Sequence, residues 1–335
     1  HAVIEAFSKY VQNNGITWRS ITREQCSDII NNIVNDLLEK MQGGPIKNGT
    51  KRYEVLVRRL NRVVLRAVWL IVEHVKRSSF EPLAYEADFG GKDGLPPIVI
   101  QLSSGEQIKL TGRIDRIDIF KTGDETYIRI IDYKSGTSDF NLTNVYYGIQ
   151  LQLITYLDVC TEAVKAMLNE SGLVLPGGIL YFKIDDPIIK NNKKELTEEE
   201  IEKSIMKQLK MRGLLLADVK VVKAMDNTID GYSMIIPARI NKGNVLSNSS
   251  SAATIDQFNS LREYVKKILQ KMGEEMVNGN ISISPYKKKK KSSCQYCSYS
   301  SICQFDNLLK DNKFRILHDK SDDEIWHLFK NQSDN

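Results

Sequence analysis

Gly112-Arg113-Ile114-Asp115 and, one hairpin later, Ile130-Ile131-Asp132-Tyr133-Lys134 are the stretches that decide the fold. The apolar lead-in of the second marks a buried strand, and the two-residue period of a strand puts Asp132 and Lys134 on one face. The first brings Asp115 onto the neighbouring strand, within approach of Asp132, and Glu86 in Tyr85-Glu86-Ala87-Asp88 offers a third acid on a strand nearby. Two or three carboxylates converging at a sheet edge beside one Lys make a site for Mg²⁺ or Mn²⁺. Such an ion lowers the pKa of water and offsets charge on a phosphoryl oxygen, while the Lys holds the attacking water or stabilises the pentavalent transition state. The chemistry expected is phosphodiester hydrolysis without a covalent enzyme intermediate.

Asp-x-Lys by itself is a weak signal, since Asp218-Val219-Lys220 and Asp311-Asn312-Lys313 match it too. What separates Asp132-x-Lys134 is the Gly-x-x-Asp at hairpin distance upstream and a polar helix expected directly downstream, over about 144–158. That helix carries Gln150 and Gln152 amid apolar residues, with Gln152 and Tyr156 on one face at i, i+4. Amides on a buried side need partners, so this helix could hold the Lys or a DNA backbone; which glutamine faces the site stays open.

Outward from this centre, the first third reads as helical. Val3, Ala6, Phe7 and Tyr10 recur at helical spacing, and a second helix starts at Thr22 with Gln25 three residues on, a capping box, ending at Gly43-Gly44-Pro45. A third, over about 52–75, interleaves arginines with an apolar stripe; the arginines read as a solvated face. Residues 83–89, 98–102, 107–120 and 127–133 are β-rich runs parted by turns such as Gly90-Gly91-Lys92-Asp93-Gly94, which resemble an antiparallel meander. Residues 178–184 read as a buried strand, 197–209 as a helix with a capping box at Thr197 and Glu200, 232–240 as a strand, 247–251 as a polar loop, and 254–277 as a helix ended by Asn278 and Gly279. A short helix is expected near 324–329. Helices, strands, a helix and a strand in that order give an α/β fold class: a mixed central sheet flanked by helices.

Composition bounds the rest. The 335 residues hold 47 Lys plus Arg against 42 Asp plus Glu, with 41% hydrophobic and 27% charged residues, which is globular rather than disordered. The surplus of +5 equals the five consecutive lysines 287–291, a run that reads as a solvated loop or a polyanion patch. No apolar stretch reaches the ~18 residues of a membrane span, no signal peptide appears, and the chain begins at His1 without Met, the expectation being a fragment or processed product. Phosphate-loop, dinucleotide-binding, Gly-x-Ser-x-Gly and His-Glu-x-x-His patterns are missing. Three of the five cysteines, Cys294, Cys297 and Cys303, lie within ten residues, while Cys26 and Cys160 stand alone. Without a secretion signal such a cluster suggests metal before disulfide.

Taken together these residues resemble the RecB-type branch of the PD-(D/E)xK nucleases, whose pattern is a His on an early helix, an acid on a strand, Gly-x-x-Asp, Asp-x-Lys and a Gln/Tyr helix. Within it the resemblance is closer still to the AddB-type nuclease domains of AddAB helicase/deoxyribonucleases. Gly90-Gly91-Lys92, Gly112 to Asp118, Ile131-Asp132-Tyr133-Lys134-Ser135, Val145-Tyr146-Tyr147-Gly148, Leu180-Tyr181-Phe182 and Cys294-x-x-Cys297 carry the likeness. Ile131 stands where the family's leading Pro does. The resemblance implies that His1, Glu86, Asp115 and Asp132 bind Mg²⁺ or Mn²⁺, that Lys134 is catalytic, and that Gln150, Gln152 and Tyr156 form the accessory motif, with Asp118 turned to the opposite face. It further implies that Cys294, Cys297 and Cys303 are three of four ligands of a structural 4Fe-4S cluster, left incomplete here unless Cys26 substitutes; the alternative is a Cys3His zinc knuckle using His318.

The function implied is that of a cytoplasmic, Mg²⁺-dependent exodeoxyribonuclease with no membrane attachment. It would cut single-stranded DNA fed by a helicase, with an AddA-type partner, in double-strand-break repair. The organisation expected is a helical part at 1–78, a nuclease core at 79–285, and a Lys-rich, cysteine-bearing segment at 286–335. Two alternatives remain at this level: a stand-alone nuclease with a Cys cluster, and a catalytically silent DNA-binding module.

Overall fold

The computed structural model describes residues 1–41, 51–92, 94–136, 139–168, 172–189, 196–310 and 312–333. The helix end expected at Gly43-Gly44-Pro45, and Asp93 and Asp311 of the motifs quoted above, lie outside them. The chain divides into two compact units, residues 1–98, 111–140 and 152–258 forming the first and 99–110, 141–151 and 259–335 the second.

The first unit begins with helices α1 (Ala2–Asn13), α2 (Arg23–Met41) and α3 (Lys51–Lys76), with a 3-10 turn at Trp18–Ser20 between the first two. The capping box of α2 forms as its sequence implies: Gln25 N donates to Thr22 Oγ1 at 3.2 Å and Thr22 N to Gln25 Oε1 at 3.0 Å. On α3, Arg62 pairs with Asp186 at 2.6 Å and Arg66 with the same carboxylate, so part of its arginine face is tied down rather than merely solvated. Strand β1 (Glu81–Phe89) follows. After the hairpin β2 (Ile98–Gln101) and β3 (Gln107–Leu110), the chain returns as β4 (Gly112–Thr122) and β5 (Glu125–Lys134).

Beyond helices α4 (Leu142–Tyr146) and α5 (Gln152–Leu168) come β6 (Leu173–Lys183), α6 (Glu198–Gln208), β7 (Arg212–Leu216), α7 (Val219–Met225), the short strands β8 (Gly231–Tyr232), β9 (Arg239–Asn241) and β10 (Val245–Leu246), and β11 (Ala252–Ala253). The principal sheet has the order β1-β4-β5-β6-β7-β11, antiparallel except for the parallel pairs β5/β6 and β7/β11. Its inner strands are buried on both faces, and α6 starts from the Thr197 and Glu200 capping box. Helix α5 supplies Leu153, Ile154, Leu157 and Val164 to the core.

Three expected elements are corrected. Residues 107–120 are two strands, because 107–110 pair with β2 in a sheet of their own, closed by Leu102 N donating to Glu106 O at 2.9 Å. The run is therefore not a simple meander. Residues 144–158 are two helices, since Gly148 adopts φ +75°, open to Gly but strained for other residues, and ends α4. Residues 232–240 turn at 233–238, where Ser233 N donates to Ala238 O at 3.0 Å and strands β8 and β9 pair back.

The second unit holds residues 99–110 of the β2/β3 hairpin, α4, most of helix α8 (Ile255–Val277), the sheet of β12 (Tyr286–Lys288), β13 (Lys291–Ser292) and β14 (Arg315–Ile316), and helices α9 (Ser300–Cys303) and α10 (Asp322–Ser333). The rings of Tyr146, Tyr264 and Phe329 join its helices, the first pair stacked at 5.9 Å and the second tilted at 4.5 Å between centres. The lysine run is a β-hairpin, not a loop. Lys288 Nζ reaches Asn144 Oδ1 at 2.6 Å and Asp319 Oδ1 at 2.9 Å, and Lys289 pairs with Asp319 Oδ2 at 2.6 Å. No described helix is long and apolar enough to cross a membrane.

Candidate functional site

Strand register assembles the site. In the antiparallel β1/β4 pair Tyr85 faces Arg116 and Ala87 faces Ile114, so Glu86 lies opposite Asp115. In β4/β5 Arg116 faces Ile131, and one step further Asp115 meets Asp132. Residues directly opposite in antiparallel strands share a face, which sets Glu86, Asp115 and Asp132 in one row across three strands. The parallel partner of Asp132 is Tyr181 on β6, and that of Tyr181 on β7 is Arg212.

His1 is brought to this row by α1, whose Phe7 packs on Trp18 (5.5 Å between ring centres), which packs on Tyr85 of β1 (5.9 Å). The His1 Nδ1 atom lies 3.7 Å from Asp115 Oδ2, and His1, Glu86 and Asp115 each offer a ligand atom within 4.8 Å of the others. Among the described residues no other trio of His, Cys, Asp or Glu meets that spacing. Asp132 is outside the trio: its Oδ2 sits 2.6 Å from Lys134 Nζ. Lys134 Nζ also donates to Gln152 Oε1 at 3.1 Å, and Gln152 Nε2 donates to the Tyr156 hydroxyl at 2.8 Å. Of the two glutamines, then, it is Gln152 that reaches Lys134. Gln150 belongs to the second unit, where its Oε1 accepts from Asn141 N at 3.0 Å.

The acids are poorly neutralised by the protein. Burial, then the Asp115 and Glu5 charges, push Glu86 up to about 7 against a weaker opposing pull from Arg113, and Glu86 Oε1 is buried without a hydrogen-bond partner. Burial also raises Asp115, although Tyr133 N donates to its Oδ2 at 2.6 Å, and burial with the Asp115 charge raises Asp132 despite Lys134. Glu86 further holds a left-handed backbone, φ +46°, which costs a non-glycine residue on the order of 1 kcal/mol. Closely packed acids with an orphaned carboxylate oxygen and an adjoining imidazole fit a hard divalent cation.

Asp118, three residues past Asp115, does face away. It is wholly buried between Arg116 (2.6 Å) and Arg129 (2.5 Å). Sequence reasoning missed this cluster, and it missed Lys183 and Arg212, which come beside Lys134 through the β5/β6/β7 register, and Lys210, which lines the same cavity just before β7. No local pattern signals them.

Residues 1–304 match the sequence profile of the PD-(D/E)XK nuclease superfamily. The chain belongs to that superfamily. PD-(D/E)XK nucleases typically use divalent metals, in keeping with the acid row. The chain is 58% identical over 328 residues to the B subunit of the ATP-dependent helicase/deoxyribonuclease of Acetivibrio thermocellus, a match that covers 98% of this chain and 28% of that protein. It is equally similar to the protein of that name from Ruminiclostridium cellulolyticum, and 49% identical over 334 residues to that of Clostridium novyi, covering 29% of the latter. The chain thus spans between a quarter and a third of the length of these relatives.

In the second unit Cys294 and Cys303 are half-buried and Cys297 is exposed, all with free thiols. In the first, Cys26 is fully buried in α2, its thiol pushed up to about 12 by burial. His318 is exposed.

Proposed function

We propose that the chain is a divalent-metal-dependent exodeoxyribonuclease domain acting on single-stranded DNA delivered by a helicase, within a cytoplasmic AddAB-type complex that repairs double-strand breaks. One observation carries this reading: Glu86, Asp115 and Asp132 align across β1, β4 and β5 with Lys134 paired to the last of them, on the core of a nuclease superfamily. The AddA-type partner and the helicase context are supported by the names of the relatives.

In this mechanism His1, Glu86, Asp115 and Asp132 would hold Mg²⁺ or Mn²⁺, which would supply Lewis acidity toward a phosphoryl oxygen and make water a stronger acid. Lys134 is the catalytic cation, its ammonium fixed at the site of developing negative charge by Asp132 and the Gln152 amide. Gln152 and Tyr156 set where that ammonium points, because Gln152 cannot turn without breaking its bonds to both. Tyr156 is itself seated by the edge of Phe89, 5.7 Å between ring centres.

Cys294, Cys297 and Cys303 are proposed as ligands of a structural 4Fe-4S cluster with one further cysteine. The three-part organisation at 1–78, 79–285 and 286–335 belongs to the same proposal.

The test is Asp132→Ala and, separately, Lys134→Ala in the intact protein and its helicase complex with Mg²⁺. Cleavage of the strand this domain serves should fall by about 10²–10³-fold, as when one preorganised charge-stabilising group is removed, while unwinding persists. Unchanged cleavage of that strand would sink the reading.

A further inference from the structure

Beside Lys134, on the side of the sheet away from Glu86 and Asp115, lies a cavity of about 150 Å³ bounded by Lys134, Tyr181, Lys183, Lys210, Arg212 and Asp139. We propose that it is a phosphate subsite for the nucleotide next to the scissile bond, holding an internal phosphodiester of the strand being cut. The inference rests on the nuclease reading above and extends it.

Position comes first. Asp132, Tyr181 and Arg212 are successive partners across β5, β6 and β7, and Lys134 and Lys183 are partners across β5 and β6. With strands roughly 4.8 Å apart, Arg212 stands about two strand spacings beyond Asp132, on the line that Glu86 and Asp115 begin on the other side. A nucleic-acid strand lying across the sheet would meet the acids and their ion at one phosphate and the cavity at a neighbouring one.

Charge comes second. Four cations line the cavity against one carboxylate, Asp139, which is 3.8 Å from Arg212 Nε; Lys183 Nζ has Asp185 at 2.7 Å outside it. Burial, then the Arg212 and Lys207 charges, lower Lys210, the behaviour of a cation packed among cations. An anion between Lys210, Arg212 and Lys183 would relieve that repulsion with charge-assisted hydrogen bonds.

Size comes third. Pockets that enclose a whole organic ligand measure roughly 300–1,000 Å³, so this one suits a phosphate group and not a base with its sugar. Tyr181 lines the cavity beside Lys134, whose Nζ lies 5.6 Å from its ring centre.

The test uses the intact protein and its complex, with single-stranded substrates in which one phosphodiester at a time, on either side of the cut, is replaced by an uncharged methylphosphonate. One neighbouring position should raise KM roughly tenfold in the wild type. Lys210→Ala and Arg212→Ala should raise KM by a similar factor, more than they lower kcat, and flatten the salt dependence of binding by about 0.7 for each phosphate neutralised by the removed cation. In those variants the same methylphosphonate should add no further penalty, since two groups that act on one another are not additive. Arg212→Lys, which keeps the charge, should recover most of the loss and guards against a folding defect.

An equal methylphosphonate penalty in wild type and Arg212→Ala overturns the inference. So does a penalty that follows only the presence of a terminal phosphate. Asp132→Ala is assayed in parallel: cleavage that survives it refutes the nuclease reading itself, whereas cleavage that needs Asp132 but ignores Arg212 refutes the subsite alone.

Discussion

His74 lies in α3 with its ring edge-on to Phe182, 5.5 Å between ring centres, and with Nε2 buried and unpartnered. Burial first, then the positive charges of Arg129, Arg116 and Arg77, hold its pKa down to about 3. Two of those cations clasp Asp118 in the cluster behind the acid row, so His74 stays neutral beside a buried ionic group and its protonation would place a third positive charge there. The sign follows from proton counting. Between the ordinary histidine value near 6.5 and about 3, the unfolded chain binds the proton and the folded chain does not, so stability rises with pH through that window. The contribution is complete above about pH 6.5 and lost as pH falls, by about 2–3 kcal/mol between pH 6.5 and 4.5 for this group. His74→Leu should therefore lose less stability than the wild type on going from pH 7 to 4.5, read as the difference between urea midpoints at the two values. Parallel declines in both proteins would show that His74 is not what titrates. Nothing in the sequence marks His74 out, because its state depends on Arg116 and Arg129, which reach it through tertiary packing.

At the scale of elements, β7 can pair with β6 only because Gly213 comes very close to it. Gly213 adopts φ +156°, and a Cβ there would stand 2.0 Å from Ile179 O and 2.8 Å from Leu180 Cα, backbone atoms that cannot turn aside. Gly213→Ala should cost about 3 kcal/mol or more, since left-handed strain and a backbone clash act together. By shifting its neighbour Arg212 it should also weaken the phosphate contact proposed for that residue, and both effects are readable from a chemical melt and a salt titration. A variant as stable as the wild type would contradict the geometry. Elements written in local chemistry were legible in the sequence: the capping boxes at Thr22 and Thr197, the long stripe of α3, the stop at Gly279, and the strand ending in Asp132 and Lys134. Those that depended on partners were not. Residues 107–110 have strand composition like 112–120, and only their pairing with β2 separates the two runs. The break between α4 and α5 turns on a single glycine inside an otherwise helical pattern.

For the molecule as a whole, the same acids that make the site should also limit stability. The sequence disclosed which residue types would gather, because Gly-x-x-Asp and Asp-x-Lys on adjacent strands fix Asp115 and Asp132 to one face. It did not disclose that Glu86 would sit opposite Asp115 in a left-handed conformation, or that the row would continue through Tyr181 to Arg212, since both follow from register. Burial raises Glu86, Asp115 and Asp132, and the Asp115 charge adds to the rise of the other two. A cation that binds only the folded state stabilises it by mass action, by about 2.7 kcal/mol at a hundredfold excess over Kd. The melting temperature should rise with Mn²⁺ or Mg²⁺ and fall back when the metal is chelated. At pH 8, where Glu86 is ionised, Glu86→Gln removes one charge from the row without changing its shape, so its metal-free form should be more stable than the metal-free wild type by on the order of 1 kcal/mol, the usual exchange between function and stability at such sites. The same variant should lose most of the metal-induced rise and most of the cleavage. If its metal-free melting temperature is unchanged and it still responds to Mn²⁺ as the wild type does, Glu86 is neither a ligand nor a source of repulsion, and the cation site must be rebuilt around His1, Asp115 and Asp132.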